Sequence, residues 1–134
     1  MNLNEPAASQ FAVYGPTFLD VVMGPLDGPP VPGHEAWVEG ALMCAGGAAN
    51  QAIALARLGA PVRLHSRVGV DQMGVFVDGM LAREGVDTSS CERAGEQNVT
   101  VSLSFDGDRA MTTRGTTALP PLDGEAPACL LADV

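Results

Sequence analysis

Basic residues are scarce in this 134-residue chain, which has 7 of them against 16 acidic residues and a formal net charge of −9. Proteins bind nucleic acids and anionic membranes through clustered lysines and arginines, so this balance argues against both classes of partner. An acidic protein can still bind a phosphate group locally. The composition therefore leaves nucleotide binding open while it excludes a basic binding surface.

Cysteines, aromatic residues and long apolar runs are also few. Cys44, Cys91 and Cys129 form no Cys-x-x-Cys pair, which predicts free thiols in a reducing cytosol. Aromatic residues make up 4% of the chain, so Ala, Val, Leu and Met must fill a core, for which the hydrophobic fraction of 46% suffices. No apolar run approaches the roughly 18 residues of a membrane span, and Met1 precedes no signal-like sequence. We therefore predict a cytoplasmic protein without a membrane partner.

Several well-known site motifs are missing as well. The sequence has no P-loop, no G-x-G-x-x-G, no H-E-x-x-H and no G-x-S-x-G. No set of Cys and His residues has the spacing of metal ligands, so we predict no metal site in this chain. The length fits one domain with a core of its own.

The most informative stretch runs from Cys44 to Gly74. Its first part is a helix predicted over roughly Ala48 to Leu58, in which five alanines alternate with a few larger apolar residues. Such a thin helix can lie close against a sheet. Gly59 suits the left-handed residue that ends a helix, and Pro61 prevents its continuation.

A diglycine and one amide mark the start of this helix. Gly46 and Gly47 let a ligand approach the backbone closely, and the helix N-terminus offers free N–H groups. Asn50 is a polar side chain on the first turn of an otherwise apolar helix. It can both donate a hydrogen bond to a hydroxyl group and accept one from it. These residues form a candidate binding site.

Other segments alternate in ways that predict an α/β protein. Strands are expected at 11–15, 35–43, 62–68, 98–105, 109–114 and 128–134, and a second helix at 73–84 with Asp71 as its N-cap. Trp37 could stack on a substrate, although an isolated tryptophan is more often packed in a core. His65 could act as a base, but no neighbouring Asp or Cys pattern supports that role, and we interpret it as structural.

Asp20 is a single acid between apolar residues, shortly after the first predicted strand. Ligands bind at the carboxyl ends of strands in open α/β sheets, which makes Asp20 a candidate for hydrogen bonding to a substrate. An aspartate that caps a turn is the alternative interpretation.

One segment of the chain resembles a known family. Ala45-Gly46-Gly47-Ala48-Ala49-Asn50-Gln51-Ala52, followed by Gly59 and by the Gly69–Gly74 turn, is similar to the N-terminal signature of the ribokinase-like (PfkB) carbohydrate kinases. The resemblance implies a ribokinase-like α/β sheet with flanking helices and a small β lid, formed by segments of about 35–44 and 98–114. It covers nearly the whole chain, which would then be the N-terminal half of such a kinase domain.

The resemblance also assigns roles to individual residues. Asp20 would hold sugar hydroxyls, Gly46 and Gly47 would allow close approach, and Asn50 would hydrogen-bond the sugar. The lid strand would add Val101 and Leu103 as sugar neighbours. At the position two before Asp20 the family often has a polar residue, whereas this chain has Phe18.

The activity implied by the resemblance is transfer of the γ-phosphate of ATP to a sugar hydroxyl, with Mg²⁺ bridging phosphate oxygens. The family's second signature, a D-T-x-G-A-G-D-like segment that supplies the anion hole and the catalytic base, has no counterpart in this sequence. We therefore predict no catalytic residue in this chain and no activity for the chain alone. A homodimer through the lid is expected. The alternatives are an inactive sugar-binding or dimerising fragment, and a nucleoside kinase of the same superfamily.

Overall fold

The computed structural model describes residues 11–121 and the backbone of 129–131. Within these residues the chain forms two helices and nine strands. In chain order they are β1 Phe11–Tyr14, β2 Thr17–Leu26, β3 Gly40–Gly47, α1 Ala48–Arg57, β4 Val62–His65, β5 Arg67–Val68, α2 Gln72–Arg83, β6 Glu92–Arg93, β7 Asn98–Phe105, β8 Asp108–Arg114 and β9 Cys129–Leu131.

A parallel three-stranded sheet in the order β4-β1-β9 forms one part of the fold. Helix α1 packs on β1 and β4. These two strands are parallel neighbours, and their pairing begins with Phe11 opposite Val62. The close packing follows from the small residues of the helix, because Ala48, Ala49 and Ala52 are all buried. The predicted thin helix is thus confirmed, ending one residue earlier than expected.

A four-stranded sheet in the order β3-β2-β7-β8 forms the other part, and we call it the lid sheet. Strands β3 and β2 are antiparallel, β2 and β7 are parallel, and β7 and β8 form a hairpin. The hairpin turns at Asp106-Gly107, where both residues have positive φ, as the sequence predicts. Residues 98–114 form β7 and β8 as strands, and their role as part of a lid stays a prediction.

Helix α2 begins where Asp71 caps it, since the Asp71 carboxylate accepts a hydrogen bond from the Gly74 amide at 2.9 Å. It ends before Gly85, which has a φ of 76°. A Cβ at Gly74 would overlap the backbone carbonyl of Gly69, so the turn before the helix requires a glycine at this point of contact. Both the cap and the glycine stop confirm the sequence prediction.

One hydrophobic core joins the two larger sheets. Val13 and Leu64 contribute to it from the parallel sheet, Leu19 and Ala45 from the lid sheet, and Leu81 from α2. Because β2 and β3 take part in this core, the end of the lid sheet nearest α1 is fixed to the rest of the molecule. The candidate site residues lie at that end.

Three predicted segments differ from the structure. The residues 17–26 form the long strand β2, so Asp20 lies within a strand and not just after one. The predicted strand 35–43 begins later, at Gly40, and continues through the diglycine to Gly47. The predicted strand 62–68 is two strands divided at the buried Ser66, since β4 belongs to the parallel sheet and β5 pairs with β6 in a separate two-stranded sheet. In all three segments the bounds of the strands are set by pairing with strands that are distant in the sequence. The local alternation of apolar and polar residues carries no information about that pairing.

Two further expectations can be compared with the structure. Trp37 was expected to pack in a core, but it is 87% exposed in the segment before β3. The predicted last strand, 128–134, is represented by β9, and its other residues lie outside the described residues. No helix in residues 11–121 is long and apolar enough to cross a lipid bilayer.

Candidate functional site

The Asp20 carboxylate stands in the middle of the lid sheet. In the register of the sheet, Asp20 lies opposite Cys44 of β3 on one side and Thr100 of β7 on the other, and Thr113 of β8 continues the row. Side chains that are directly opposite in a sheet share a face, so these four residues lie on one face. We call this the Asp20 face.

The Asp20 side chain occupies the space above Gly46. A Cβ at Gly46 would overlap the carboxylate group of Asp20, so no larger residue fits while Asp20 keeps this position. The sequence interpretation was that the glycines allow a ligand to approach the backbone. The structure gives Gly46 a more direct reason, which is that it makes room for the candidate ligand-binding carboxylate.

Gly47 has two separate reasons to be glycine. Its φ of 63° is in the left-handed region that disfavours side chains, and a Cβ there would lie 2.8 Å from Cδ2 of Phe18. The Phe18 ring therefore lies against the backbone of Gly47, the residue that precedes α1. Two side chains from one face of β2, those of Phe18 and Asp20, thus pack against the backbone of the diglycine.

The electrostatics of the Asp20 face follow from partial burial. Burial raises the pKa of Asp20, and the Arg109 guanidinium of β8 lowers that pKa in part. Burial also raises the pKa of the Cys44 thiol, and the charge of Asp20 raises it further. Within residues 11–121 no hydrogen bond is made to the Asp20 carboxylate, so its two oxygens can accept from a ligand.

Asn50 is the third residue of α1 and is exposed. Gly47 offers no side-chain cap to this helix, and the Ala48 amide donates to the carbonyl of Pro16 at 3.0 Å. The Asn50 side chain makes no hydrogen bond to another residue of the described part of the chain. The amide predicted to bind a ligand is thus accessible at the start of the helix that the diglycine precedes.

Val101 and Leu103 lie on the opposite face of the lid sheet from Asp20. Val101 pairs with Val21 and Leu103 with Met23, and both partners alternate with Asp20 along β2. The structure therefore divides the predicted set, because Gly46 lies against Asp20 and Gly47 leads directly into the helix that carries Asn50, while these two residues lie on the other face. The expectation that Val101 and Leu103 contact the same ligand as Asp20 conflicts with this geometry.

Two residues of the Asp20 face were not recognised from the sequence as site residues. Phe18 was noted only as a departure from a family pattern, and Arg109 only as part of a strand. Five of the seven basic residues form ion pairs with acidic side chains, namely Arg57, Arg63, Arg67, Arg93 and Arg114. Arg109 forms no ion pair within the described residues. Its position near Asp20 could not be predicted from the sequence, because that position depends on the register of the sheet.

The buried Gln97 is a third residue that the sequence did not single out. Its side chain accepts from the Gly69 amide at 3.0 Å and donates to the Thr17 carbonyl at 2.9 Å. It therefore ties the turn before α2 to the start of β2. A polar side chain that satisfies backbone groups in this way positions the strand that carries Phe18 and Asp20.

No group of three or more His, Cys, Asp and Glu side chains within residues 11–121 could hold a metal ion. The His65 side chain, at the end of β4, has a buried Nε2 atom without a hydrogen-bond partner in the same residues. His65 is not on the Asp20 face, since β4 belongs to the parallel sheet. It stays interpreted as a structural residue.

Comparison with known proteins gives the family. The sequence model of the pfkB family of carbohydrate kinases matches residues 36–118, which is more than half of the chain. The chain therefore belongs to the pfkB family of carbohydrate kinases, as its diglycine signature predicts. Its fold is the predicted ribokinase-like α/β fold.

Two curated relatives illustrate the range of the family. A fructokinase of Vibrio alginolyticus is 41% identical over 75 residues, which are 53% of this chain and 24% of the relative. A 2-dehydro-3-deoxygluconokinase of Bacillus subtilis is 45% identical over 56 residues, which are 42% of this chain and 17% of the relative. The chain thus spans about a quarter or less of the length of these relatives.

Among solved structures, a ribokinase from Cryptococcus neoformans in complex with ADP is similar to this chain. It superposes with a TM-score of 0.64 and 30% identity, covering 79% of this chain and 34% of the ribokinase.

Proposed function

We propose that the complete protein transfers the γ-phosphoryl group of ATP to a hydroxyl of a sugar, and that this chain supplies the sugar-binding side of the site. The observation that carries the proposal is the Asp20 carboxylate, partly buried above Gly46 and without a hydrogen-bond partner among the described residues. A carboxylate held in this way can accept hydrogen bonds from two neighbouring hydroxyls at once. Membership of a carbohydrate kinase family supports this use of it.

In this proposal the residues of the chain bind and orient the substrate. Asp20 accepts from two sugar hydroxyls, and Asn50 adds a donor and an acceptor at the start of α1. Phosphoryl transfer depends mainly on positioning and charge stabilisation, so orientation of the sugar is a substantial part of catalysis. The site residues thus act by holding the hydroxyl in place.

ATP and Mg²⁺ belong to the proposal for the complete enzyme. The similar ribokinase was crystallised with ADP, which supports nucleotide use in this family. The described residues offer no cluster of metal ligands, and the sequence has no P-loop. We therefore assign neither the nucleotide nor the cation to residues of this chain, and we propose no catalytic base within it.

A homodimer through the lid sheet is a further part of the proposal. Met23, Met43 and Val101 are exposed apolar side chains on the face opposite Asp20. Exposed apolar residues that adjoin one another are typical of protein interfaces. We propose that this face contacts a second copy of the chain. We also propose a cytoplasmic location, which the free thiols of Cys44 and Cys91 support.

Calorimetric titration of the chain with a sugar panel tests the proposal. The panel contains D-fructose, D-ribose, 2-dehydro-3-deoxy-D-gluconate and, for the nucleoside kinase alternative, adenosine and inosine. We expect one sugar to bind. Asp20→Ala should reduce its binding free energy by about 2–5 kcal/mol, the scale for removing a partner of a buried charged hydrogen bond. Unchanged affinity in Asp20→Ala would refute the site, and selective binding of a nucleoside would favour the alternative.

A turnover assay complements the binding test. We expect no sugar-dependent phosphate transfer from ATP by the 134-residue chain, because no segment of it resembles the family's second signature. A rate above that of heat-inactivated protein, abolished by Asp20→Ala, would show that this chain supplies a catalytic base after all. If no panel member binds and none is phosphorylated, the inactive-fragment alternative is favoured.

A further inference from the structure

We propose that Gln97 is a positioning residue for the proposed sugar site. Its side chain holds the first residue of β2, and through that strand it determines how well Asp20 binds a sugar. By the same coupling, a bound sugar tightens the turn between β5 and α2, which Gln97 also holds. This inference rests on the proposed function and deepens it, because it names a residue outside the Asp20 face on which the same site depends.

Gln97 is a buried amide just before β7, with 1% of its surface exposed. Its Nε2 donates to the Thr17 carbonyl at 2.9 Å, and its Oε1 accepts from the Gly69 amide at 3.0 Å. One side chain thus joins two segments that are distant in the sequence. An apolar replacement would leave the Gly69 amide without this acceptor, and an unsatisfied buried donor is costly.

The turn before α2 packs tightly against the backbone of Gln97. A Cβ at Gly69 would overlap the backbone nitrogen of Gln97 and lie 2.7 Å from its Cα atom. The Gln97 backbone N–H also donates to the Asp71 carboxylate at 3.3 Å, and the same carboxylate caps α2 through Gly74. The side chain that reaches Thr17 therefore starts from a backbone that is itself held by the turn.

The start of β2 is held from two sides. The Pro16 carbonyl accepts from the amide of Ala48, the first residue of α1, at 3.0 Å. The next carbonyl along the chain, that of Thr17, accepts from the Gln97 side chain. Two consecutive carbonyls are thus bonded to the helix that carries Asn50 and to the residue that packs on the turn before α2.

Asp20 lies three residues beyond Thr17 on the same strand. At the rise of a β-strand this separation is about 10 Å, and an extended strand transmits a displacement of its start over such a distance. The pairing of β2 with β7 begins at Phe18 opposite Asn98, so the Gln97 bond closes the end of this ladder. Hydrogen bonds weaken steeply when they are misaligned. Loss of the Gln97 bond should therefore lower sugar affinity although every group that touches the sugar remains.

Calorimetry on a matched pair of variants tests the positioning role. D-fructose is the first probe, and D-ribose and 2-dehydro-3-deoxy-D-gluconate follow. Gln97→Met keeps the length of the side chain but has no amide, and it should weaken sugar binding about 5-fold, the equivalent of one net hydrogen bond. Val62→Ala is the control, because Val62 is buried at the amino end of β4, opposite Phe11. It should lower the stability and leave the sugar affinity unchanged.

Both variants are titrated at a temperature at which circular dichroism shows them to be folded. Unchanged affinity in Gln97→Met overturns the proposal. Equal weakening in Gln97→Met and Val62→Ala overturns it as well, because the effect would then follow from stability and not from the position of β2.

Hydrogen exchange of the wild-type chain tests the same coupling in the opposite direction and needs no variant. Coupling between two sites is reciprocal, so a saturating sugar should slow exchange of the Gly69 amide about 5-fold, the factor expected for Gln97→Met. The Gly85 amide, which donates to the Ala82 carbonyl at 3.1 Å, is the control and should not slow. NMR in D2O with and without the sugar measures both amides. Equal slowing of the two amides, or slowing of neither, overturns the proposal even if Gln97→Met fails to fold.

Failure of this inference can be told apart from failure of the proposed function. If a sugar binds with dependence on Asp20 but does not slow exchange at Gly69, the inference is wrong and the proposed function stands. If none of the three sugars binds the wild-type chain, the proposed function fails and takes the inference with it.

Discussion

On one face of the lid sheet, Asp20 lies beside Phe18 and over Gly46, whereas the other face holds Met23, Met43 and Val101 in exposed positions. The same strands build both faces, and their residues simply alternate. Both faces expose apolar side chains, since Leu42 and Met111 lie on the Asp20 face, but the carboxylate proposed to bind a ligand is on that face and the proposed protein contact is on the other. Under the two proposals a single strand serves sugar binding with one set of side chains and dimerisation with the other, and each set can be altered separately.

This comparison also explains why Val101 and Leu103 do not join the site. They stand on the same strand as Thr100, which is opposite Asp20, but each neighbouring residue along a strand points to the other side. The alternation of β7 is visible in the sequence. Which of its two sets faces Asp20 depends on the register with β2, which the sequence does not show.

The largest expected effect comes from placing a charge on the apolar face. Met43→Asp should weaken a dimer at least about 100-fold, because an unpaired carboxylate in an interface costs several kcal/mol. Met111→Asp is the matched control, since Met111 lies on the Asp20 face and is 57% exposed, close to the 51% of Met43. Analytical ultracentrifugation measures the association.

Two outcomes would contradict the division of the faces. A monomeric wild-type chain would refute the dimer outright. Equal weakening by Met43→Asp and Met111→Asp would show that the contact does not use the face opposite Asp20. Sugar binding by Met43→Asp should equal that of the wild type, since its side chain does not reach the Asp20 face.

A smaller effect is expected when a methyl group is added beneath Asp20. Gly46→Ala should destabilise the fold by about 1–3 kcal/mol, the usual cost of overpacking, because the new Cβ overlaps the Asp20 carboxylate. Gly79→Ala in α2 is the control, because nothing lies within 4 Å of its Cβ position. The free energy of unfolding of that control should rise by about 0.4–1 kcal/mol. Urea unfolding measures both, and a neutral Gly46→Ala would mean that Asp20 does not need this space.

The elements predicted well from the sequence are those fixed by local signals. Helix α1, helix α2 with its Asp71 cap, and the β7–β8 hairpin fall within one or two residues of their predicted bounds. Turn glycines, caps and alternation decide these elements within a few residues of chain. The diglycine signature likewise identified the family.

The misplaced elements are those that depend on distant partners. The sequence places Asp20 after a strand because the predicted strand 11–15 ends at Gly15, yet pairing with β3 and β7 makes residues 17–26 a second strand. The contact of Asp20 with Gly46 joins residues 26 positions apart. Phe18 and Gly47 meet in the same way, so the geometry of the site and part of its membership required the structure.

A third experiment concerns Asn50. Asn50→Leu should weaken sugar binding by about 1–2 kcal/mol, the scale for one or two lost hydrogen bonds, and leave the fold intact because leucine is a good helix former. Gln51→Leu is the control, since Gln51 is the next exposed residue of α1. Calorimetry and thermal unfolding measure both variants. Loss of folding in Asn50→Leu alone would make Asn50 a structural residue.

The smallest expected effect concerns the charge of Asp20. Its folded-state pKa is raised, mainly by burial, so ionisation is less favourable in the folded chain than in the unfolded one. The cost of ionising Asp20 therefore lowers the free energy of unfolding. This cost is absent at pH values below the pKa of a free aspartate, about 3.9, and complete at pH values above the raised pKa. Asp20→Asn should therefore raise the melting temperature at pH 7 but not at pH 3, while it weakens sugar binding. A lower melting temperature at pH 7 would show that the carboxylate stabilises the fold.

Arg109 should modify the same titration. Because its guanidinium lowers the pKa of Asp20 in part, Arg109→Met should raise that pKa further. Sugar binding, which requires the ionised carboxylate, should then be lost at a higher pH as the solution is acidified. Arg83→Met is the control, since it removes the same charge from α2. Carbon-13 NMR of the Asp20 carboxyl group follows the titration directly. An equal shift in both variants would mean that net charge, and not the position of Arg109 on the Asp20 face, tunes the site.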